Sequence, residues 1–185
     1  MSAVRAPWQQ GALDPLCGLY SVINAIQYTA PDPGLFKEDA SVLFGEIACE
    51  LEDHLGAGGL VGYGLTRRSL CVALRTADTW LTQNYGLKLQ SNWPFYRSPN
   101  VGLATMLGHL QSHLFQPRTA VICALTGCID HWTVVTELTS SRVRLFDSCG
   151  MKFIRTSSVG PLGSDDARYQ LSSTQMAFIK VLEAT

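Results

Sequence analysis

The feature that most restricts the fold of this chain is a change of hydrophobic period at Pro117. Before it, apolar residues recur every three or four positions; after it, short β-branched segments follow one another with brief polar breaks. Leu19, Val22, Ile23 and Ile26 predict a first helix over residues 17–28, ended by Pro31-Asp32-Pro33. Ala40, Leu43, Phe44, Ile47, Leu51 and Leu55 predict a second, closed by a glycine-rich run from Gly56 to Gly64 that is expected to be a flexible loop. Leu70, Leu74, Ala77 and Leu81 give a third helix stopped near Gly86, and Leu103, Met106, Leu107, Leu110 and Leu114 give a fourth. Strand patterns then cover Thr119 to Leu125, His131 to Leu138, Arg142 to Ser148, Lys152 to Ser157 and Gln175 to Leu182. Short links favour antiparallel pairing in a meander. Helices first and strands afterwards predict an α+β fold with the first helix packed on the sheet.

Composition narrows the partners. With 185 residues, 46% of them hydrophobic and 16% charged, the chain is expected to form one globular domain spanning 1–185. A net charge of -1 lacks the basic excess that attracts phosphate backbones, so no nucleic-acid partner is expected. The longest continuously apolar stretch, Ala120 to Gly127, is far shorter than the ~20 residues that cross a bilayer, so no membrane insertion is expected either. The N-terminal sequence shows no basic region followed by an apolar one, which points to the cytoplasm. Cysteines at 17, 49, 71, 123, 128 and 149 form no Cys-x-x-Cys pair and are expected to be reduced. The glycine-rich run lacks the Gly-Lys-Ser/Thr ending of a phosphate cradle. Nothing in the sequence fixes the oligomeric state.

Cys17 stands where the loop Leu13-Asp14-Pro15-Leu16 enters the first helix. Free N–H groups and the positive end of the helix dipole favour a thiolate there. A nucleophilic thiol also needs a base, and His131 opens a strand next to Trp132. Asp147 lies sixteen residues further on, near the end of the next strand pattern, so an antiparallel hairpin would set it beside His131 and let it orient the ring. Gln10 or Gln9, upstream of the thiol, can offer a side-chain amide to an oxyanion.

This set, a Gln ahead of Cys-Gly, then His-Trp, then Asp one hairpin later, resembles the papain-like cysteine peptidase superfamily. In motif it is nearest to the peptidase domains of bacteriocin-processing transporters, through Asp14-Pro-Leu-Cys-Gly-Leu-Tyr-Ser-Val-Ile-Asn-Ala25, and more distantly similar to Josephin deubiquitinases. The resemblance covers roughly residues 9–150. It implies a papain-like fold and a cysteine-dependent hydrolase that cleaves a peptide or isopeptide bond through a thioester. Cys17 would be nucleophile, His131 base and acid, and Asp147 the orienting group, a place that papain itself gives to Asn; Gln10 would serve the oxyanion. No metal or organic cofactor is implied, and the substrate would be a polypeptide with small residues before the scissile bond. An acyltransferase of transglutaminase type uses the same order of residues, and a catalytically idle peptide-binding module would keep the same fold.

Other residues admit plainer readings. His109 and His113 have the spacing of a metal pair, but no third ligand is evident, so a solvated helix face is expected. Cys128, His131 and Cys149 are the alternative zinc set. Cys49, Cys71, Cys123, Trp80 and Trp93 are expected to pack, with Trp93-Pro-Phe-Tyr96 a candidate wall of a cleft.

Overall fold

The computed structural model describes residues 5–11, 15–32, 34–56, 58–60 and 64–184. Four of the nine residues of the expected glycine-rich loop, 57 and 61–63, lie outside them, as does Pro33. The helices are α1 (Cys17–Thr29), α2 (Lys37–Leu55), α3 (Arg67–Tyr85) and α4 (Leu103–Leu114), and residues 58–60 add a helical turn. The strands are β1 (Leu87–Asn92), β2 (Thr119–Gly127), β3 (His131–Leu138), β4 (Arg142–Leu145), β5 (Phe153–Arg155), β6 (Val159–Pro161) and β7 (Tyr169–Glu183). This is an α+β architecture.

Local chemistry sets several of these boundaries. Thr66 and Ser69 form a reciprocal capping box at the start of α3, and Gly86 closes that helix in the left-handed conformation with φ 60°. At the other end of α1, the Arg5 guanidinium donates to the carbonyls of Gln27 and Ala30 at 2.8 and 2.6 Å. Trp8 exchanges hydrogen bonds with the Asn24 side chain at 2.7 and 3.0 Å, so the segment before α1 is laid along it.

The sheet departs from a meander. Its order is β1-β7-β2-β3-β4-β5, so β7 fills the gap between β1 and β2, and β6 pairs with β7 in parallel while all other pairs are antiparallel. Two strands were not expected: β1, an edge strand in the helical half, and the three-residue β6. β7 begins six residues before the expected Gln175, with a register shift against β2 between Cys123 and Leu125. The third strand pattern ends at Leu145 rather than Ser148.

Helices cover both faces. Ala120, Ile122, Ala124, Trp132 and Val134 pack with α1, α2 and α3 in one apolar cluster. Val121, Cys123, Leu125 and Val135 point the other way, onto Met106 and Leu110 of α4. Each of these four sheet residues is no more than 1% exposed, which explains why β2 is apolar at nearly every position instead of alternating. The sheet therefore lies between α4 and the other three helices, and α1 sits centrally, touching β3, β2, β7, α2 and α3.

Candidate active site

The site forms where the start of α1 meets the start of β3. Close packing fixes this junction: a Cβ on Gly18 would come 2.8 Å from the Cβ of Leu65, and the Leu65 carbonyl accepts the Trp132 indole N–H at 2.7 Å. The Trp132 backbone N–H donates to Cys17 Sγ at 3.4 Å, which ties the nucleophile candidate to the strand carrying the histidine. The N-cap residue of α1, Leu16, makes no side-chain cap hydrogen bond, and Cys17 is the first residue of the helix.

His131 Nε2–H donates to Asp147 Oδ2 at 2.6 Å. The Asp147 side chain is wholly buried and that of His131 is 8% exposed. Asp147 reaches this place because the chain leaves the sheet after β4: Phe146 N–H still bonds the Val134 carbonyl, and the next residues turn at Gly150, with φ 83°. Its second oxygen, Oδ1, accepts the backbone N–H groups of Cys149 and Met151 at 2.8 and 3.1 Å. Both oxygens are thus committed.

Burial by itself pushes the His131 imidazolium down, but hydrogen bonds to Asp147 and Cys17 and the charges of both outweigh it, raising the group to about 9. For Asp147 burial pushes upward and is outweighed by His131 and by the Met151 N–H, so the carboxyl is held below its usual range. The Thr133 hydroxyl also favours the ionised form, though it makes no well-formed hydrogen bond. A carboxylate on Nε2 fixes the proton there and leaves Nδ1 for exchange with a thiol.

Two thiols surround that ring. Cys17, half-buried, acts on it electrostatically and raises its pKa; Cys149, exposed, brings Sγ to 4.0 Å from Nδ1. Ligand atoms of His131, Asp147 and Cys149 lie within 4.8 Å of one another, so among the described residues these three form the group that could hold a metal. Asp147, not Cys128, stands in that group; Cys128 is exposed and its N–H bonds the Arg168 carbonyl. A metal would compete with the three hydrogen bonds that Asp147 accepts.

Gln10 is held through its backbone N–H to the Ser148 carbonyl at 3.1 Å, and its side-chain oxygen accepts the Ser148 hydroxyl at 2.9 Å. Gln9 donates its amide to the carbonyls of Pro7 and Asp147 at 3.1 and 3.2 Å. Both glutamines are thereby fastened to the loop carrying Asp147, and residues 12–14 between them and Cys17 lie outside the described part. The two histidines of the metal-pair spacing are engaged away from the site: His113 Nε2–H donates to the Ile179 carbonyl at 2.9 Å, and His109 stands edge-on to Phe95. Cys123 and Trp80 are buried as expected, whereas Cys49 is exposed and Cys71 half-buried.

The sequence had offered Cys149 only as a zinc ligand, and it gave no hint of Ser148 or of the Leu65 carbonyl. The nearness of Cys149 to Asp147 in the chain was the available signal. Set against protein-family models, curated proteins and solved structures, the chain matches none.

Proposed function

We propose that this protein is a papain-like, cysteine-dependent hydrolase that opens a peptide or isopeptide bond of a polypeptide. One observation carries the reading: a half-buried thiol at a helix N-terminus, a histidine at the start of β3 and a buried carboxylate after β4 converge from three distant segments, with His131 hydrogen-bonded to Asp147 and the next residue, Trp132, donating its backbone N–H to Cys17. Cys17 Sγ attacks the carbonyl carbon, the C–N bond breaks, and the His131 proton passes to the leaving amine. Water then loses a proton to the neutral imidazole, attacks the thioester, and releases the carboxylate and the thiol. Backbone N–H groups at the start of α1, joined by the Gln10 amide, hold the oxyanion in both steps. No metal or organic cofactor takes part.

Tight packing of Leu65 on Gly18 and of Trp132 on Leu65 leaves little room beside the thiol, which supports a small residue before the scissile bond. The test is mass spectrometry of candidate polypeptides incubated with the native chain and with Cys17→Ala. Cleavage that needs Cys17, together with a transient acyl adduct on that residue, is expected. A panel in which no product and no adduct depends on Cys17 would overturn the proposal.

A further inference from the structure

Along α3 lies a cavity of about 640 Å³ whose lining includes Arg67, Arg68 and Arg75, with Thr66, Ser69 and Ser91 among its polar groups and no Asp or Glu. Helical spacing explains the convergence, since positions 67, 68, 71 and 75 share one stripe of α3. Among the described residues none of the three arginines forms an ion pair. That is unusual company for a helix start: Arg67 and Arg68 occupy the first turn of α3, which contains no acidic residue, so both cations oppose the helix dipole. The capping box already serves the backbone there and does nothing for the charges.

Arg67 is also held in place. Its guanidinium lies 5.8 Å from the centre of the Trp93 ring and 5.2 Å from that of Tyr96, while Arg97 lies 5.1 Å from the Tyr96 ring. Stacking of this kind fixes the plane of a guanidinium and leaves its edge donors to face a ligand. The positive field reaches into the cavity: burial pushes the Cys71 thiol up, and Arg67 and Arg75 both act against that push. Leu65, next in the chain to the cavity residue Thr66, packs on Gly18, the neighbour of Cys17, and accepts the Trp132 indole N–H.

We infer that this arginine cavity is a binding site for an acidic segment of a polypeptide, with paired carboxylates neutralising guanidiniums that the protein itself leaves unpaired. Calling that polypeptide the substrate rests on the hydrolase reading; the binding does not. The overall charge of -1 directs the site toward a local acidic run rather than a long polyanion, for which a broad basic face is the usual requirement.

The experiment measures fluorescence anisotropy with the full chain carrying Cys17→Ala, so that the result does not depend on catalysis. The probes are a fluorescein-labelled decapeptide of alternating Asp and Glu and a Ser-Gly decapeptide of equal length. The acidic probe is expected to bind at least about tenfold more tightly than the neutral one and to weaken as salt rises. Arg67→Gln with Arg68→Gln should cost about tenfold or more. Arg68→Gln with Arg75→Gln, both at exposed positions, should also weaken binding and guards against a folding defect of the first pair. Equal binding of the two probes, or an acidic probe indifferent to both double variants, overturns the inference. So does a single-stranded oligonucleotide that displaces the acidic probe at lower concentration than the unlabelled peptide, since the site would then prefer phosphate backbones.

Discussion

Asp147→Asn is the most discriminating single change, because resemblance and geometry disagree about it. Papain-like sites accept Asn in this place, which would make the substitution mild. Here, however, Oδ1 already takes two backbone N–H groups at 2.8 and 3.1 Å, and Oδ2 takes the His131 Nε2–H at 2.6 Å. An Asn can keep the loop bonds only by turning its NH2 toward His131, where two donors then oppose each other. Alternatively it keeps the histidine bond and sets its NH2 against two backbone donors. Either choice leaves donors unpaired at about 1–3 kcal/mol each. The loss of charge matters as much. Without the carboxylate, the burial that pushes His131 down is opposed only by Cys17, and the imidazole should titrate at or below its ordinary value of 6.5 rather than at about 9. At pH 7.5 the protonated share of His131 then falls from about 97% to about 10% or less. Asn also favours the tautomer with the proton on Nδ1, the wrong nitrogen for a base facing the thiol, a fault that costs on the order of 10⁴-fold in a Ser-His-Asp site. Histidine NMR titration and the pH dependence of Cys17 alkylation both read this without a substrate. We expect a fall of at least two units for His131 and slower alkylation of Cys17 at neutral pH. An Asn variant whose His131 still titrates near 9, or whose thiol reacts as in the native chain, would refute the reasoning.

Three further outcomes are expected. Iodoacetamide at neutral pH should label Cys17 faster than Cys49, Cys71, Cys123 and Cys128, with Cys149 next because it shares the His131 ring; peptide mapping that puts Cys128 or Cys49 first would contradict the site. In thermal unfolding, His131 contributes stability that is complete below pH 6.5 and fades as pH rises through about 9, whereas Asp147 contributes above pH 3.8 and loses it on acidification. The melting temperature should therefore decline between pH 6.5 and 9, and this decline should vanish in Asp147→Asn. Leu110→Ala removes a side chain with no exposure between α4 and the sheet, and should cost about 2–5 kcal/mol by urea unfolding while Cys17 alkylation in the folded protein is unchanged. A loss below about 1 kcal/mol would mean that α4 does not seal that face.

The main elements and the meeting of Cys17, His131 and Asp147 were legible because each carries a local signal. Cys17 follows a Pro-Leu entry into an amphipathic helix, His131 opens a strand next to Trp132, and the hairpin β3–β4 returns the chain so that Asp147, two residues past β4, meets His131. What escaped has a common cause, namely dependence on distant partners. β1 has only Leu87 and Leu89 to signal a strand, and it exists because β7 offers an edge from Leu182 to Phe178. β6 is three residues long and pairs in parallel, a pattern too short to show in sequence. The second covered face of the sheet was visible in principle, since Ala120 to Leu125 is apolar without alternation, a sign of burial on both sides. The anchoring of Gln9 and Gln10 to the Asp147 loop joins residues 138 apart in the chain, and no local pattern foretells it.

The position of β7 has a consequence for how the molecule is made. This strand, residues 169–183, is paired on one side with β1 and on the other with β2, so the two halves of the sheet meet only across it. During synthesis every helix, and the hairpin bearing His131 and Asp147, leaves the ribosome before the strand that joins them to β1. Until it arrives, Ala120, Val121 and Ile122 present an open edge with apolar faces, ready to pair with whatever strand is at hand. Folding of the sheet must wait for contacts that span most of the chain, which makes it slow and dependent on the last strand to emerge. Cys17, made early in the chain, thus waits for β7 before the sheet under α1 is complete.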